Sequence, residues 1–260
     1  MSTSTWAKPA VKASVSGVDI PKGRASHSIN VIKDNLYVFS GEHEPRVPID
    51  ARLHVFNLPS QQWTPAIQPS SATPSPRVGH GSVTFNDTIY IFGGRVGAEM
   101  NPLNDMYEFE PANGHWAKVE QSGDIPQARS YFSMAASEKY IYIFGGCPTS
   151  GRLNDLHRFN PSTKIWESLP ASSSLSPRGG AGLAYLNGKI YVHGGFNGKE
   201  LSDIWSFDEG TKVWEELEVV GEKPEGRSVH GFVSLKERGV LVCLYGERDP
   251  SPTGHVGAGK

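Results

Sequence analysis

DNLYVFSG at residues 34–41, DTIYIFGG at 87–94, KYIYIFGG at 139–146 and GKIYVHGG at 188–195 are one phrase written four times, and GVLVCLYG at 239–246 is a degenerate fifth copy. The closing glycines step by 53, 52, 49 and 51 residues. Upstream of each phrase an arginine recurs at Arg24, Arg77, Arg129, Arg178 and Arg227, with steps of 53, 52, 49 and 49. Trp6, Trp63, Trp116, Trp166 and Trp214 keep nearly the same beat, and LHVFN, MYEFE, LHRFN and IWSFD recur between each glycine pair and the next tryptophan. Chance scatters the phases of unrelated markers, so markers holding one period identify an internal repeat.

Within each unit the apolar residues alternate or run briefly together, are β-branched or aromatic, and are bounded by Gly, Pro, Asn and Asp, which is the signature of strands. Each repeat reads as four strands; in the first, a is HSINVI, b is NLYVFS, c is RLHVFN and d is QQWTPA. One small twisted sheet cannot bury both of its faces. Sheets packed face to face around an axis can, and the result is an all-β propeller of four-stranded antiparallel blades. The recurring Gly-Gly, the aromatic pair and the period resemble the kelch family over essentially the whole chain. The organisation expected is a single propeller domain over 1–260. Its repeats run at about 24–66, 77–119, 129–169, 178–219 and an incomplete 227–260, and 1–23 form an orphan closing strand and linker. Thr5 to Pro9, around Trp6, reads as that closing strand. With the fifth repeat ending inside its b–c loop, the ring reads as incomplete and the chain as C-terminally truncated or a fragment.

Composition agrees with many short strands and tight turns. The 260 residues include 29 Gly and 19 Pro, with 37% hydrophobic and 20% charged residues, which argues against disorder. A net charge of -2 gives no electrostatic case for nucleic acid or an anionic membrane. No apolar run is long enough to span a bilayer, MSTSTWAKPAVK lacks a signal-peptide core, and two cysteines form neither a disulfide framework nor a CxxC zinc spacing. The expectation is a cytoplasmic protein with no nucleic-acid and no membrane partner.

The b–c and d–a loops of a blade share one face of the disc. The residue after each b-strand glycine is therefore equivalent in every repeat, and Glu42, Arg95, Cys147, Phe196 and Glu247 are expected to ring one mouth. The loops that follow them differ from one another while the framework repeats, the usual division between scaffold and binding surface. Such a mouth either holds a ligand or simply solvates the rim. The recurring arginines read as blade-to-blade hydrogen bonding, the tryptophans as packing between blades, and Asp105, Asp155 and Asp203 as turn formers.

YIFGGR at 90–95, GERDPSPTGHVGAGK at 246–260, SGEHEPRVPID at 40–50, PRGGAGLAYLNGKIYV at 177–192 and EGRSVHGFV at 225–233 resemble the specifier proteins (epithiospecifier, nitrile-specifier and thiocyanate-forming proteins) in the same order. That resemblance implies a protein acting with Fe(II) on the sulfur-containing aglycones released from glucosinolates by myrosinase, directing them toward nitriles, a lyase- or isomerase-type activity. It implies that Arg95 grips the sulfate leaving group, with Tyr131, aligned through ARSYFSM, beside the substrate; Glu42, on the same mouth, is a further candidate for substrate binding. The family's iron stretch is Glu-x3-Asp-x3-His; here Glu247 and His255 keep the outer positions, Ser251 replaces the middle Asp, and Asp249 offers a substitute carboxylate. The alternative is a non-catalytic kelch module that uses the same b–c loop face to hold a partner protein.

Overall fold

The computed structural model describes residues 18, 20–251 and 254–257, with side chains up to Arg248. The expected strand at Thr5 to Pro9 lies outside the described residues. Four antiparallel sheets follow one another along the chain, each ordered a-b-c-d. Blade 1 comprises Ser28–Ile32, Asn35–Phe39, Leu53–Asn57 and Gln62–Ile67. Blade 2 comprises Gly81–Phe85, Thr88–Val96, Asn101–Glu110 and His115–Lys118. Blade 3 comprises Ser133–Ala136, Ile141–Gly146, Leu153–Asn160 and Ile165–Leu169, and Ser122–Gly123 adds to its d strand in parallel. Blade 4 comprises Gly182–Leu186, Lys189–Phe196, Glu200–Asp208 and Trp214–Glu216. Blade 5 pairs Gly231–Leu235 with Val240–Leu244, and beyond it Glu247–Ser251 pairs with Gly254–Gly257. One 3-10 turn, Lys236–Arg238, is the sole helical element among the described residues.

Alternation decides which face each strand buries: along Ser28–Ile32 every second residue is buried and the others are exposed. The core is therefore spread between blades. One cluster joins blades 1 and 2 around Phe39, Ile91 and Trp116, a second joins blades 2 and 3 around Phe92, Ile143 and Trp166, and a third joins blades 3 and 4 around Phe144, Val192 and Phe207. Trp116, Trp166 and Trp214 act as expected, packing between blades. Trp116 packs on Phe109 of its own blade and Phe39 of the blade before it, with ring centroids 4.9 and 5.4 Å away. Trp166 repeats this with Phe159 and Phe92, and Trp214 with Phe207 and Phe144. Each buried aromatic of this size contributes about 2–3 kcal/mol of apolar burial.

The glycine pair opens a bulge in the b–c ladder, with register shifts at Phe92/Gly94, Phe144/Gly146 and His193/Gly195. The next blade fills the gap with main chain. Arg129 of blade 3 donates its N–H to Leu103 O and accepts from Gly94 N–H; Arg178 and Arg227 do the same toward Leu153 and Gly146, and Leu201 and Gly195. The first glycine position tolerates a side chain, as Ser40 and Tyr245 show at φ 50° and 54°. The second does not: at Gly146, φ is 101° and a Cβ would stand 2.6 Å from Phe132 Cβ and 2.8 Å from Ser130 O. Backbone strain plus overpacking sets the cost of Gly146→Ala at about 3 kcal/mol, read as a drop in the urea midpoint at unchanged m-value.

Candidate functional site

The five mouth positions are equivalent in structure as in sequence. Glu42 bridges to Ala25, Arg95 to Val78, Cys147 to Ser130, Phe196 to Gly179 and Glu247 to Ser228, each time the residue that follows a recurring arginine. One residue further on, Ser26, Gly79, Tyr131, Gly180 and Val229 all lie at φ between 49° and 61°. Their main chains form a belt: Gly79 N–H donates to Ser26 O, Tyr131 to Gly79, Gly180 to Tyr131 and Val229 to Gly180, at 2.7–3.1 Å. The belt turns the chain inward and sets the floor of the mouth.

Above the floor is a cavity of about 790 Å³ lined by Ser26, Glu42, Arg46, Tyr131, Cys147, Arg152, Phe196 and Glu247, among others. Below it, His27, His80, Tyr131, Phe132 and His230 narrow the axis to a pocket of about 190 Å³. Of the five expected mouth residues four line the larger cavity, and Arg95 stands behind it, bonded to the wall. Its Nε donates to Ser130 Oγ at 2.8 Å and its Nη2 to Pro148 O at 2.8 Å. Both acceptors are neutral, so no carboxylate among the described residues cancels the Arg95 charge. Arg152 was not singled out by the sequence. Its guanidinium carbon sits 4.8 Å from the Phe196 ring centroid, and its Nε is buried without a partner.

Tyr131 anchors the acidic side. Its hydroxyl lies 3.4 Å from Ser26 Oγ, which donates to Glu42 Oε1 at 2.9 Å. Burial raises the phenol, the Ser26 hydrogen bond lowers it, Glu42 and Glu247 raise it and Arg95 lowers it; the net is upward, so Tyr131 stays protonated at neutral pH. Burial likewise pushes the Cys147 thiol up, against the pull of Arg152 and Arg95. Arg95, Tyr131, Glu42 and Glu247 are thus brought together. The side chains of Asp249 and His255 lie outside those described; the ladder pairs Glu247 with Gly257 and Pro250 with His255, and its alternation puts positions 247, 255 and 257 on one face of that hairpin.

The aspartates correct the expectation. Asp105, Asp155 and Asp203 grip the buried arginines of their own blades: Asp155 Oδ1 and Oδ2 each accept from Arg129 at 2.7 Å, and Asp105 and Asp203 pair with Arg77 and Arg178 in the same way. NDM, NDL and SDI read as turns because Asn, Asp and Ser favour them; the c strands extend through them instead. Within the blade the arginine side chain also donates to the first glycine carbonyl, and only its main chain crosses to the neighbour.

Among protein families, the chain matches the KLHDC2/KLHL20/DRC7 Kelch-repeats domain over residues 26–246. It is 30% identical over 276 residues to the N-(sulfonatooxy)prop-2-enimidothioate sulfolyase of Thlaspi arvense, an alignment covering 96% of this chain and 77% of that protein. It is 29% identical to kelch domain-containing protein 3 of Bos taurus, over 66% of this chain and 48% of that one. The host cell factor homolog hcf-1 of Caenorhabditis elegans is 29% identical over 87% of this chain and 31% of its own length.

Proposed function

The chain belongs to the kelch-repeat family, and from that footing we propose that its mouth binds a small sulfated, sulfur-bearing aglycone and directs its breakdown in the manner of a specifier protein. The observation that carries this reading is the Arg95 guanidinium, positioned by two neutral acceptors with its charge left for an incoming anion, and with Arg152 also at the mouth. A sulfate monoester presents pairs of anionic oxygens, which the planar two-donor fork of arginine meets better than the point charge of lysine. The Thlaspi relative's name places a sulfonatooxy group on its substrate, which supports the same chemistry here.

In this reading Arg95 holds the sulfate as the bond to it breaks, and its positive charge stabilises the negative charge that develops there. The protonated Tyr131 offers a hydrogen bond from the floor, and Glu42, through Ser26, fixes its orientation. Phe196, under Arg152, gives the apolar wall against which an aglycone side chain lies. Fe(II) is implied by the resemblance; carboxylate and imidazole donors suit it, and Glu247 and His255, with Asp249, would hold it. Bound there, ferrous iron supplies a Lewis acid with open positions for sulfur. A cytoplasmic location accompanies this proposal.

The test adds purified chain and Fe(II) to myrosinase and a glucosinolate, and measures nitrile against isothiocyanate. The chain raises the nitrile share, and Arg95→Gln lowers that effect by about tenfold or more, the worth of a charged hydrogen bond or two. Arg95→Lys recovers part of it. A product ratio equal to that without protein sinks the specifier reading. The interaction-module reading then stands, favoured by the b–c hairpins that blades 1, 2 and 4 raise around the mouth and by the kelch relatives.

A further inference from the structure

Where blades 1, 2 and 3 carry Phe39, Phe92 and Phe144 just before the b-strand glycine position, blade 4 carries His193. The facing residue of the next blade, three after the recurring arginine, is His80, Phe132, Ala181 and, at the last interface, His230. The three apolar clusters occupy the first three interfaces. At the fourth, two imidazoles meet edge to face with centroids 5.0 Å apart, and His193 Nδ1 lies 3.0 Å from His230 Nε2. Cys243, on the b strand of blade 5, brings its Sγ to 3.8 Å from His193 Nδ1. The three donor atoms all lie within 4.8 Å of one another.

We propose that His193, His230 and Cys243 form a binding site for a zinc-class divalent ion that joins blade 4 to blade 5. Zn–N bonds of about 2.0 Å and Zn–S bonds of about 2.3 Å at tetrahedral angles put nitrogens about 3.3 Å apart and sulfur about 3.5 Å from nitrogen. The observed 3.0 and 3.8 Å need shifts of a few tenths of an ångström, and the third separation, within 4.8 Å, one of up to about an ångström, which a χ1 or χ2 adjustment of Cys243 or His230 supplies. The donor set, two imidazoles and a thiolate, selects zinc-class ions over the hard cations that prefer oxygen. It also differs from the oxygen-rich set proposed for iron at the mouth.

Protonation favours the ligand state. Burial, with the charge of Arg227, lowers His193 to about 4; burial, with the charges of His193 and Arg227, lowers His230 to about 3. At neutral pH both rings are neutral, and the proton of their shared hydrogen bond passes to the other nitrogen of its own ring when both donor atoms take the metal. Burial raises the Cys243 thiol while Arg227 pulls it down, so the proton lost on metal binding is that of Cys243, released to solvent. Cys243 also lines an open groove of about 430 Å³ with Glu222, Lys223, Glu225 and Arg227. The groove admits the ion and leaves its fourth position to water. Without metal, the same three groups are a plain imidazole–imidazole hydrogen bond beside a thiol.

The experiment strips the reduced chain with chelator and titrates Co(II) under anaerobic conditions. A single equivalent is expected to produce the near-ultraviolet sulfur-to-cobalt charge-transfer band and the intense visible absorption of a tetrahedral site, and Zn(II) to bleach both. Cys243→Ser loses the charge-transfer band. His193→Phe installs the residue that blades 1 to 3 carry, so it keeps the circular dichroism of the parent while weakening Zn(II) binding by at least about tenfold. Glu247→Gln leaves the band unchanged, which separates this site from the mouth. No thiolate band in the parent, or an unchanged Zn(II) affinity in a folded His193→Phe variant, overturns the proposal.

Discussion

Arg129→Met is expected to destabilise the fold by about 3–5 kcal/mol, a fall in Tm on the order of 10 °C for a chain of this size. The Arg129 side chain is fully buried and spends its donors on Asp155, Gly145 O and Gln127 O. Replacing it takes the guanidinium charge from Asp155, which keeps only its His157 hydrogen bond, and removes the donor to the carbonyls of Gly145 and Gln127; this costs more than the net worth of the pair. Burial by itself would push the Asp155 carboxyl up, but hydrogen bonds from His157 and Arg129 outweigh it and hold the carboxyl well below the usual range. Thermal melts of Arg129→Met and of the double variant Arg129→Met/Asp155→Leu measure this, and the double variant recovers part of the loss because no orphaned charge remains. The exposed Lys236–Glu138 pair is the comparison: Lys236→Met changes stability by less than about 1 kcal/mol. A loss from Arg129→Met no larger than that would falsify the assignment of the recurring arginines as buried anchors.

Stability is expected to fall steeply with acid, beginning near pH 6.5, well above the range where carboxylates titrate. Burial lowers His80 to about 3, His193 to about 4 and His230 to about 3, from an ordinary value of 6.5. Each is neutral in the fold and protonates first in the unfolded chain. The stability they contribute is complete above about pH 6.5 and is lost as pH falls toward the folded values. Each histidine contributes a slope of about 1.4 kcal/mol per pH unit, so the three together give about 4 kcal/mol per unit between roughly pH 6 and 4.5. Urea melts across that range in the presence of chelator, which keeps the two blade 4–5 imidazoles metal-free, measure the slope. His80→Phe isolates one contribution. His80 meets Phe39 at 5.6 Å and 79°, and Phe132 meets Phe92 at 5.6 Å and 85°, so the position accepts a phenyl ring. Both ring nitrogens of His80 are buried without partners, so nothing is orphaned by the change. The variant should lose about a third of the slope; an unchanged slope means His80 is not held neutral.

What the sequence by itself determined is the repeating unit. The strands of blade 1 read from HSINVI, NLYVFS, RLHVFN and QQWTPA coincide with those of the structure to within a residue or so, because alternation and turn chemistry are local. The phase of the glycines placed Glu42, Arg95, Cys147, Phe196 and Glu247 at equivalent points, since a repeat folded the same way each time carries every position to the same place. Trp116, Trp166 and Trp214 read correctly for the same reason. Tertiary structure decided which groups meet. Asp155 lies 26 residues from Arg129 along the chain and His230 lies 37 from His193, and no periodicity says whether such groups pair, pack or turn apart. Arg152 occupies the b–c loop of blade 3, and the b–c loops differ from blade to blade in length and sequence, so no repeat signal marked it. The belt of left-handed residues joins serine, glycine, tyrosine and valine, whose side chains share no propensity for that backbone. Strand identity is written in a few neighbouring residues, whereas the charge, strain and ligand geometry of the mouth and of the blade 4–5 junction arise from blades about fifty residues apart, and only their packing around a common axis brings those residues within bonding distance.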